Sequence, residues 1–338
     1  MIVGVCDYPS EYPFPPHGYG GIERWLWAVA VGAREWGATV HLLGPQWRAD
    51  LPAGFGRADV RLEQISPEGS SQRDLDRLGL DLLVVGHEYP ALPAWRRTWE
   101  TLGCGVVTFQ HDPNFTHPNG TFDGTRNRLY CYSAEMALRY REHKPHRELS
   151  VQIGLNEDPL PAINGQGLLW LGRVCAAKAP HIAALAAHRM GRRLRIVGPV
   201  HDPAYVRRHP VLREPHVEWV GEIGGRAKAE ALRDASAFVY TCSREYVEAG
   251  AAVFADAIRA GTPVAALAWR PGTCADAALC NDTGAVASVY DEQSDSTAAD
   301  ALLLAILAAE RLDAKTVQDV GLRRFDPVRH FEVLAGLR

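Results

Sequence analysis

Two carboxylates frame a short apolar segment in the second half of the chain, Glu248 before it and Asp256 eight residues later. Helical spacing places Asp256 on a face shared with small packing residues. Gly250 allows backbone N–H groups to approach a ligand closely, and a helix N-terminus attracts anions. The stretch therefore suits a ligand with hydroxyls for the carboxylates and a phosphate for the amides. An N-capped helix with Asp256 as a solvated surface charge would leave the same pattern.

Two cations, Arg173 and Lys178, follow a predicted buried strand at 167–172. At the carboxyl end of a strand they are placed to hold a diphosphate, because Arg offers a bidentate fork and Lys a point charge. Taken alone, such a pair would also be ordinary among surface residues.

A glycine turn joins the first predicted strand to a long amphipathic helix. Gly20 and Gly21 directly precede the helix, so its first N–H groups are open to an anion. The turn lacks G-x-G-x-x-G spacing, which weakens a dinucleotide interpretation. Glu23 could instead complement the helix dipole.

Two histidines follow predicted parallel strands of the first half: His87 comes after 81–86, and His111, followed by Asp112, after 104–109. Ligands of open α/β sheets bind at that edge. His87 reads more simply as a loop histidine satisfied by backbone, whereas His111 stays a candidate for a functional role.

Six segments resemble, in the same order, the motifs G-G-x-E, His, G-R-x(4)-K, I-V-G, V-G-E and E-x7-acid of retaining nucleotide-sugar glycosyltransferases with the GT-B fold. The similar group is the large family-4 type that contains phosphatidylinositol mannosyltransferase and sucrose synthase. The matching segments are Gly20 to Glu23, His111, Gly172 to Lys178, Ile196 to Gly198, Val220 to Glu222 and Glu248 to Asp256.

This resemblance implies two Rossmann-like, doubly wound parallel-sheet domains facing an interdomain cleft. It implies transfer of a sugar from a nucleoside-diphosphate donor to a hydroxyl of a small-molecule or glycan acceptor, with retention and without a metal or other cofactor. The implied catalytic residues are Arg173, Lys178, Glu248 and His111. The implied donor-binding residues are Gly20, Gly21, Gly172, Gly198, Glu222, Ile223, Ala249, Gly250, Ala251 and Asp256. The acceptor-side candidates are Glu23, His87 and Asp112.

The sequence departs from the family pattern at three positions. Asp256 is one methylene shorter than the usual Glu, and Ala249-Gly250 replaces Phe-Gly. Ala179 stands where Gly is usual, at a small cost in backbone freedom.

Apolar runs alternating with helical patterns predict βαβ units and parallel sheets in both halves. We place an acceptor-binding domain at 1–156, a nucleotide-sugar domain at 157–312, and a helical segment at 313–338 that could return to the first domain. The predicted strands include 2–6, 39–44, 59–63, 81–86, 104–109, 129–133, 150–154, 167–172, 194–198, 217–221, 237–243, 263–267 and 283–290. The predicted helices include 178–190, 226–234, 298–311 and 326–337.

At 338 residues the chain can form two domains with sizeable cores. A net charge of −4 gives no reason to expect nucleic acid as a partner. Seven scattered Cys argue for reduced thiols in a cytoplasmic protein, and neither a signal peptide nor a membrane span is expected. Composition and compact length suggest a bacterial enzyme of specialised metabolism, such as antibiotic biosynthesis.

Three other functions compete with this interpretation, and two of them remain open. A nucleotide-sugar epimerase of GT-B architecture would need acid and base groups on both faces of the sugar. A tandem-Rossmann dehydrogenase would need G-x-G-x-x-G and a ribose-binding acid, and the sequence has neither in context. An inactive nucleotide-sugar-binding relative could result from the changes at Ala249 and Asp256.

Overall fold

The computed structural model describes residues 1–6, 13–16, 20–44, 50–60, 70–87, 102–109, 111, 128–139, 147–148 and 159–337. Its contacts divide the chain into two units. The first comprises Met1–Leu155 with Asp326–Arg338, and the second comprises Asn156–Phe325.

The first unit is built on a seven-stranded parallel sheet in the order β3-β2-β1-β4-β5-β6-β7. Its strands are β1 (Ile2–Cys6), β2 (Thr39–Leu43), β3 (Phe55–Ala58), β4 (Leu82–Val85), β5 (Gly105–Phe109), β6 (Arg128–Cys131) and β7 (Arg147–Glu148). Its helices within the described residues are α1 (Gly21–Trp36), α2 (Ser70–Arg77), α3 (Ala134–Arg139) and the C-terminal α11 (Pro327–Leu334).

The last helix of the chain packs on the first. The backbones approach closely, since a Cβ on Gly32 would lie 2.2 Å from the carbonyl oxygen of Pro327. The indole N–H of Trp25 in α1 donates to Nε2 of His330 in α11 over 3.0 Å. Helix α11 therefore belongs to the core of the first unit.

The second unit is built on a six-stranded parallel sheet in the order β10-β9-β8-β11-β12-β13. Its strands are β8 (Leu168–Leu171), β9 (Leu194–Val197), β10 (Val217–Gly221), β11 (Ala237–Tyr240), β12 (Val264–Ala268) and β13 (Gly284–Ser288). Its helices are α4 (Pro180–Arg189), α5 (Pro203–Arg208), α6 (Gly225–Arg233), α7 (Ala252–Arg259), α8 (Cys274–Ala278), α9 (Asp295–Ala309) and α10 (Ala314–Arg324).

The central strands of the second unit are almost entirely buried, as expected for a parallel sheet covered on both faces. Helix α10 packs on α7, and a Cβ on Gly321 would meet the backbone of Ile258 at 2.7 Å. Residues 314–324 thus belong to this unit, and the chain leaves it only before α11.

The prediction of two doubly wound parallel sheets is confirmed. Of the strand predicted at 59–63, residues 59 and 60 are not in a strand and residues 61–63 lie outside the described residues; the structure places β3 at Phe55–Ala58, where it pairs with β2. This is an edge strand with a Gly and an Arg, and its position is set by the register of its partner rather than by local propensity. The strand predicted at 150–154 lies outside the described residues.

Some helix boundaries also differ from the prediction. The helix expected at 178–190 begins at Pro180, because a 3₁₀ turn (Ala176–Lys178) precedes it and Ala179 adopts the left-handed conformation between them. The sequence analysis did not predict α5 and α8 as separate helices.

Candidate functional site

The order of the second sheet defines where its loops separate. Strands β8 and β11 are neighbours, yet the chain proceeds from β8 toward one edge of the sheet and from β11 toward the other. This is the topological switch point, where open α/β sheets bind ligands beyond the carboxyl ends of the strands. Arg173 and Lys178 follow β8, and Glu248 follows β11.

Lys178 and Glu248 meet at this point. The Nζ of Lys178 forms an ion pair with Oε2 of Glu248, and the two side chains are only 13% and 11% exposed. The hydroxyl of Tyr240 donates to the same carboxylate oxygen over 2.9 Å. The structure therefore joins one member of the predicted cationic pair to the first predicted acid.

Hydrogen bonds between the two strands fix the backbone of Lys178. The indole N–H of Trp170, in β8, donates to Oγ1 of Thr241 over 2.9 Å. That hydroxyl in turn donates to the carbonyl oxygen of Lys178 over 2.8 Å. In addition, the N–H of Ser243 donates to the carbonyl oxygen of Ala177. These hydrogen bonds thus hold the loops after β8 and β11 together next to the ion pair.

Tyr246 completes the surroundings of Lys178, whose Nζ lies 4.9 Å from the centre of its ring. Burial raises the pKa of Tyr246 to about 12, with a contribution from Glu248, while the positive charges of Lys178 and Arg173 act in the opposite direction. Burial, and then Glu248, also raise the pKa of Tyr240 well above its ordinary value. Both tyrosines are neutral near pH 7, and sequence reasoning did not identify either.

Asp256 does not join Lys178. It forms an ion pair with Lys228 of α6. The side chain of Asp256 is 7% exposed, and that of Lys228 is 14% exposed. The alternative of a solvated surface charge at Asp256 is therefore wrong. The two predicted acids lie in separate ion pairs, and the sequence analysis missed Lys228 as a partner.

Gly172 and Gly198 lie against each other where β8 and β9 end. Gly198 has φ +130°, and a Cβ there would lie 2.0 Å from the carbonyl oxygen of Gly172. The N–H of Gly172 donates to Val197, and that of Gly198 donates to Gly221. Close packing at the ends of β8 and β9 therefore explains the presence of glycine at these two positions, whether or not a ligand binds there.

The remaining predicted donor-binding residues follow β10 and precede α7. Glu222 is exposed, whereas Ile223 packs on the core. Ala249 is buried, and Ala251 is the N-cap of α7 in an extended conformation, without a side-chain hydrogen bond to the cap. An anion near Gly250 would therefore meet the first turn of α7 without competition from a capping side chain.

In the first unit, His111 lies directly beyond β5 in an aromatic cluster. Its ring centre is 5.1 Å from those of Trp25 and Phe109, and Nδ1 is 2.9 Å from the hydroxyl of Tyr132. Burial, and secondarily the charge of His87, hold the pKa of His111 well below its ordinary value of 6.5. Within the described part of the chain, its buried Nε2 has no hydrogen-bond partner. A neutral imidazole there can exchange a hydrogen bond with a hydroxyl, whichever tautomer is present.

Three other candidates of the first unit, Gly20, Gly21 and Glu23, lie at the start of α1. Neither glycine adopts the left-handed conformation, and the φ of 172° at Gly20 is extended backbone. A Cβ on Gly20 would lie 2.1 Å from Oε2 of Glu23, so this carboxylate folds back over the start of its own helix, as a dipole-complementing residue would. Outside its chain neighbours and the backbone of its own helix, no atom of the described residues would lie within 4 Å of a Cβ on Gly21. His87 lies 6.0 Å from His111 between ring centres.

The predicted acceptor-side residue Asp112 lies outside the residues that the structure describes.

The two parallel-sheet units together define the GT-B fold. The chain is similar to the crystal structure of AviGT4, a glycosyltransferase involved in avilamycin A biosynthesis, with 20% identity and a TM-score of 0.70 over 99% of this chain and 98% of that one. It is also similar to WaaG, a glycosyltransferase involved in lipopolysaccharide biosynthesis, with 17% identity and a TM-score of 0.64 over 99% and 100% of the chains.

A third similar structure is HepE from Anabaena in complex with UDP, with 14% identity, a TM-score of 0.67, and coverage of 100% and 99%. The same protein was also solved with UDP-glucose. No family model and no curated protein sequence matches the chain significantly. Among the described residues, none of the helices combines the length and apolar character that crossing a bilayer requires.

Proposed function

We propose that the protein is a metal-independent, retaining glycosyltransferase that moves a sugar from a nucleoside-diphosphate donor to a hydroxyl of a small-molecule or glycan acceptor. The observation that carries this proposal is the buried Lys178–Glu248 pair at the switch point of the second sheet. In this pair, a cation of the kind that binds a diphosphate lies beside a carboxylate of the kind that binds sugar hydroxyls, which supports the proposal. The similar structure solved with UDP and UDP-glucose supports this class of donor.

Departure of the nucleoside diphosphate requires positive charge near the leaving oxygen. We assign this charge to Lys178 and Arg173, which both follow β8 at the carboxyl end of the strand; the positive charge of each also acts to lower the pKa of nearby Tyr246. Fixed cations in a partly buried site stabilise developing charge more than they would in water, because they need no reorganisation during the reaction. The first N–H groups of α7 add a favourable dipole for a phosphate.

Glu248 binds hydroxyls of the donor sugar. Lys178 and Tyr240 both contact its Oε2, and no hydrogen bond within the described residues uses Oε1. That oxygen can therefore accept from a sugar hydroxyl while Oε2 keeps its partners. Asp256 would contact the ribose hydroxyls with the oxygen that Lys228 does not hold.

His111 orients a hydroxyl of the sugar or of the acceptor. Its Nε2 is a buried polar atom that bonds no described residue, and leaving such an atom without a partner costs free energy that a ligand hydroxyl would recover. Glu23, His87 and Asp112 stay candidates for the acceptor region, and Gly20 and Gly21 for donor binding. Because the motif resemblance implies attack on the face from which the phosphate departs, we assign no side chain as general base.

The test begins with a thermal-shift panel of UDP-, GDP-, ADP- and dTDP-sugars, since a bound ligand raises apparent stability according to its affinity. The donor that binds is then offered to a panel of glycan and specialised-metabolite acceptors, with and without EDTA, and the anomeric configuration of the product is assigned by NMR. Lys178→Ala should abolish transfer, whereas Lys315→Ala, a change at an exposed lysine, should not.

Three outcomes would contradict the proposal. Donor binding without transfer across the acceptor panel would indicate an inactive relative. Conversion of the donor sugar without any acceptor would indicate an epimerase. Activity that EDTA abolishes and a divalent cation restores, under conditions in which EDTA leaves the unfolding temperature unchanged, would refute metal independence of the transfer.

A further inference from the structure

Two histidines and a glutamate lie close together near the amino ends of the strands of the second sheet. His188 lies in the last turn of α4, and Glu214 and His216 lie directly before β10. The N–H of Leu194, at the start of β9, donates to the carbonyl oxygen of His216 over 2.9 Å. The cluster therefore lies at the amino ends of the strands, opposite the edge that carries Lys178 and Glu248.

We propose that His188, Glu214 and His216 bind a divalent transition-metal ion of the zinc type. Oε2 of Glu214 lies 2.8 Å from Nδ1 of His188 and 3.5 Å from Nδ1 of His216. One potential ligand atom from each residue lies within 4.8 Å of the other two. Ligands of a tetrahedral zinc ion at bonds of about 2.0–2.1 Å are separated by roughly 3.3 Å, so small side-chain adjustments would complete the site.

A backbone carbonyl orients one of the ligands. Nε2 of His216 is 3.0 Å from the carbonyl oxygen of Ala184, an acceptor that requires the proton on Nε2. In the neutral imidazole, Nδ1 then presents its lone pair to Glu214. Ligating histidines characteristically use the second ring nitrogen in this way, because the outer hydrogen bond fixes the tautomer and the ring orientation.

The charges of the cluster also favour a cation. In the neutral form of His216, the lone pair on Nδ1 faces a carboxylate oxygen at 3.5 Å, and a bound cation, either a proton or a metal ion, relieves that repulsion. Within the described part of the chain, the ion-pair contacts of Glu214 are those with the two histidines, and no Lys or Arg neutralises it. Imidazole with carboxylate is a ligand set that suits zinc and its neighbours in the first transition row.

The exposure of the side chains suits an ion that enters from solvent. His188 is 57% exposed and Glu214 is 40% exposed, whereas His216 is 15% exposed and anchored by Ala184. A bound ion would link the end of α4 to the loop that enters β10. The inference is independent of the proposed sugar transfer, because the site uses none of the residues at the switch point.

The test is calorimetric titration of Zn²⁺ into tag-free protein that has been stripped with a chelator, with bound metal counted by elemental analysis. We expect one equivalent per chain and a higher unfolding temperature with Zn²⁺ present. His188→Ala and Glu214→Gln should each weaken binding by about 100-fold or more, since loss even of an outer-shell partner costs 10–100-fold. His201→Ala, a change at an exposed histidine outside the cluster, is the matched control.

A second measurement covers the case in which a variant folds poorly. Co²⁺ bound to the wild-type protein should give visible absorption that Zn²⁺ displaces, and this needs no substitution. The proposal is overturned if the wild-type protein binds no stoichiometric Zn²⁺, or if His188→Ala and Glu214→Gln both retain full affinity.

Discussion

Removing either charge of the Lys178–Glu248 pair should destabilise the protein, and removing both should destabilise it less than the sum. Lys178→Met keeps an unbranched side chain without the ammonium, and Glu248→Gln keeps the shape and can still accept from Tyr240. Each single variant leaves a charge without its partner in a site where the side chains are 13% and 11% exposed. Loss of one partner of a buried pair costs about 3–5 kcal/mol, because the remaining charge stays desolvated.

Because both side chains keep some access to solvent, we expect each single variant at the low end of this range, about 3 kcal/mol less stable than the wild type. The double variant buries no unpaired charge at this position. We therefore expect it to lose no more than a single variant does, about 3 kcal/mol or less rather than 6, which corresponds to a coupling free energy of about 3 kcal/mol or more.

The assay is urea unfolding of the four proteins, followed by fluorescence and circular dichroism. Coincident transitions justify a free energy for a chain of two units. The exposed pair Arg226 and Glu230 on α6 is the control, since its side chains are 73% and 41% exposed. Its coupling should be about 0.5 kcal/mol or less. Single losses at Lys178 and Glu248 that add to within about 0.5 kcal/mol would refute the buried contact.

The same variants separate stability from activity. In the proposed transfer reaction, Lys178→Met should lower kcat by about 10²-fold or more, because it removes charge that stabilises the departing diphosphate. The double variant should regain stability relative to the sum of the single changes and yet remain inactive. Recovery of activity together with stability would show that the pair is only structural.

Three further predictions concern other residues of the two units. Gly198→Ala should lower the free energy of unfolding by about 3 kcal/mol, through its positive φ and the 2.0 Å approach to Gly172, which a thermal-unfolding comparison with wild type would detect. The pKa of His111 is held well below 6.5 in the folded protein, so as the pH falls the imidazole is protonated in the unfolded chain before it is protonated in the folded one. The contribution of His111 to the free energy of unfolding is therefore complete above about pH 6.5 and is lost as the pH falls. His111→Gln should flatten the pH dependence of that free energy below about pH 6.5, and an unchanged slope would contradict the assignment. Asp256→Asn should cost about 3 kcal/mol by leaving Lys228 unpaired, and Lys228→Met should partly restore stability in the Asp256→Asn background.

Most strands could be predicted from the sequence because buried parallel strands are short apolar runs bounded by turn residues. The carboxyl ends of these strands identify the edge of the sheet where ligands bind. The position of Arg173, Lys178 and Glu248 at that edge can therefore be predicted from the order of strands and loops along the chain. The edge strand β3 could not be located this way. Its residues have little β propensity, and its place depends on pairing with β2.

The partners of individual side chains were harder to predict than the loops that carry the candidate site. Tyr240 ends an apolar strand and reads as an ordinary core residue, and Lys228 lies in a helix with many charged neighbours. Nothing in their spacing indicates that one donates to Glu248 and the other pairs with Asp256. The same limit applies to His188, which lies 26 positions before Glu214. These contacts depend on which helix faces pack together, and a single sequence does not specify that.

The ion pair at the switch point bears on how a donor would bind. With Glu248 as its partner, Lys178 is held near Tyr246 before any ligand arrives, so little reorganisation is needed when a diphosphate approaches. The pair is neutral as a unit, however, and a doubly charged diphosphate needs more positive charge than it offers. Arg173 and the uncapped start of α7 can supply that difference. Electrostatic complementarity therefore requires the loops after both β8 and β11, which explains why the switch point rather than either loop alone forms the candidate site.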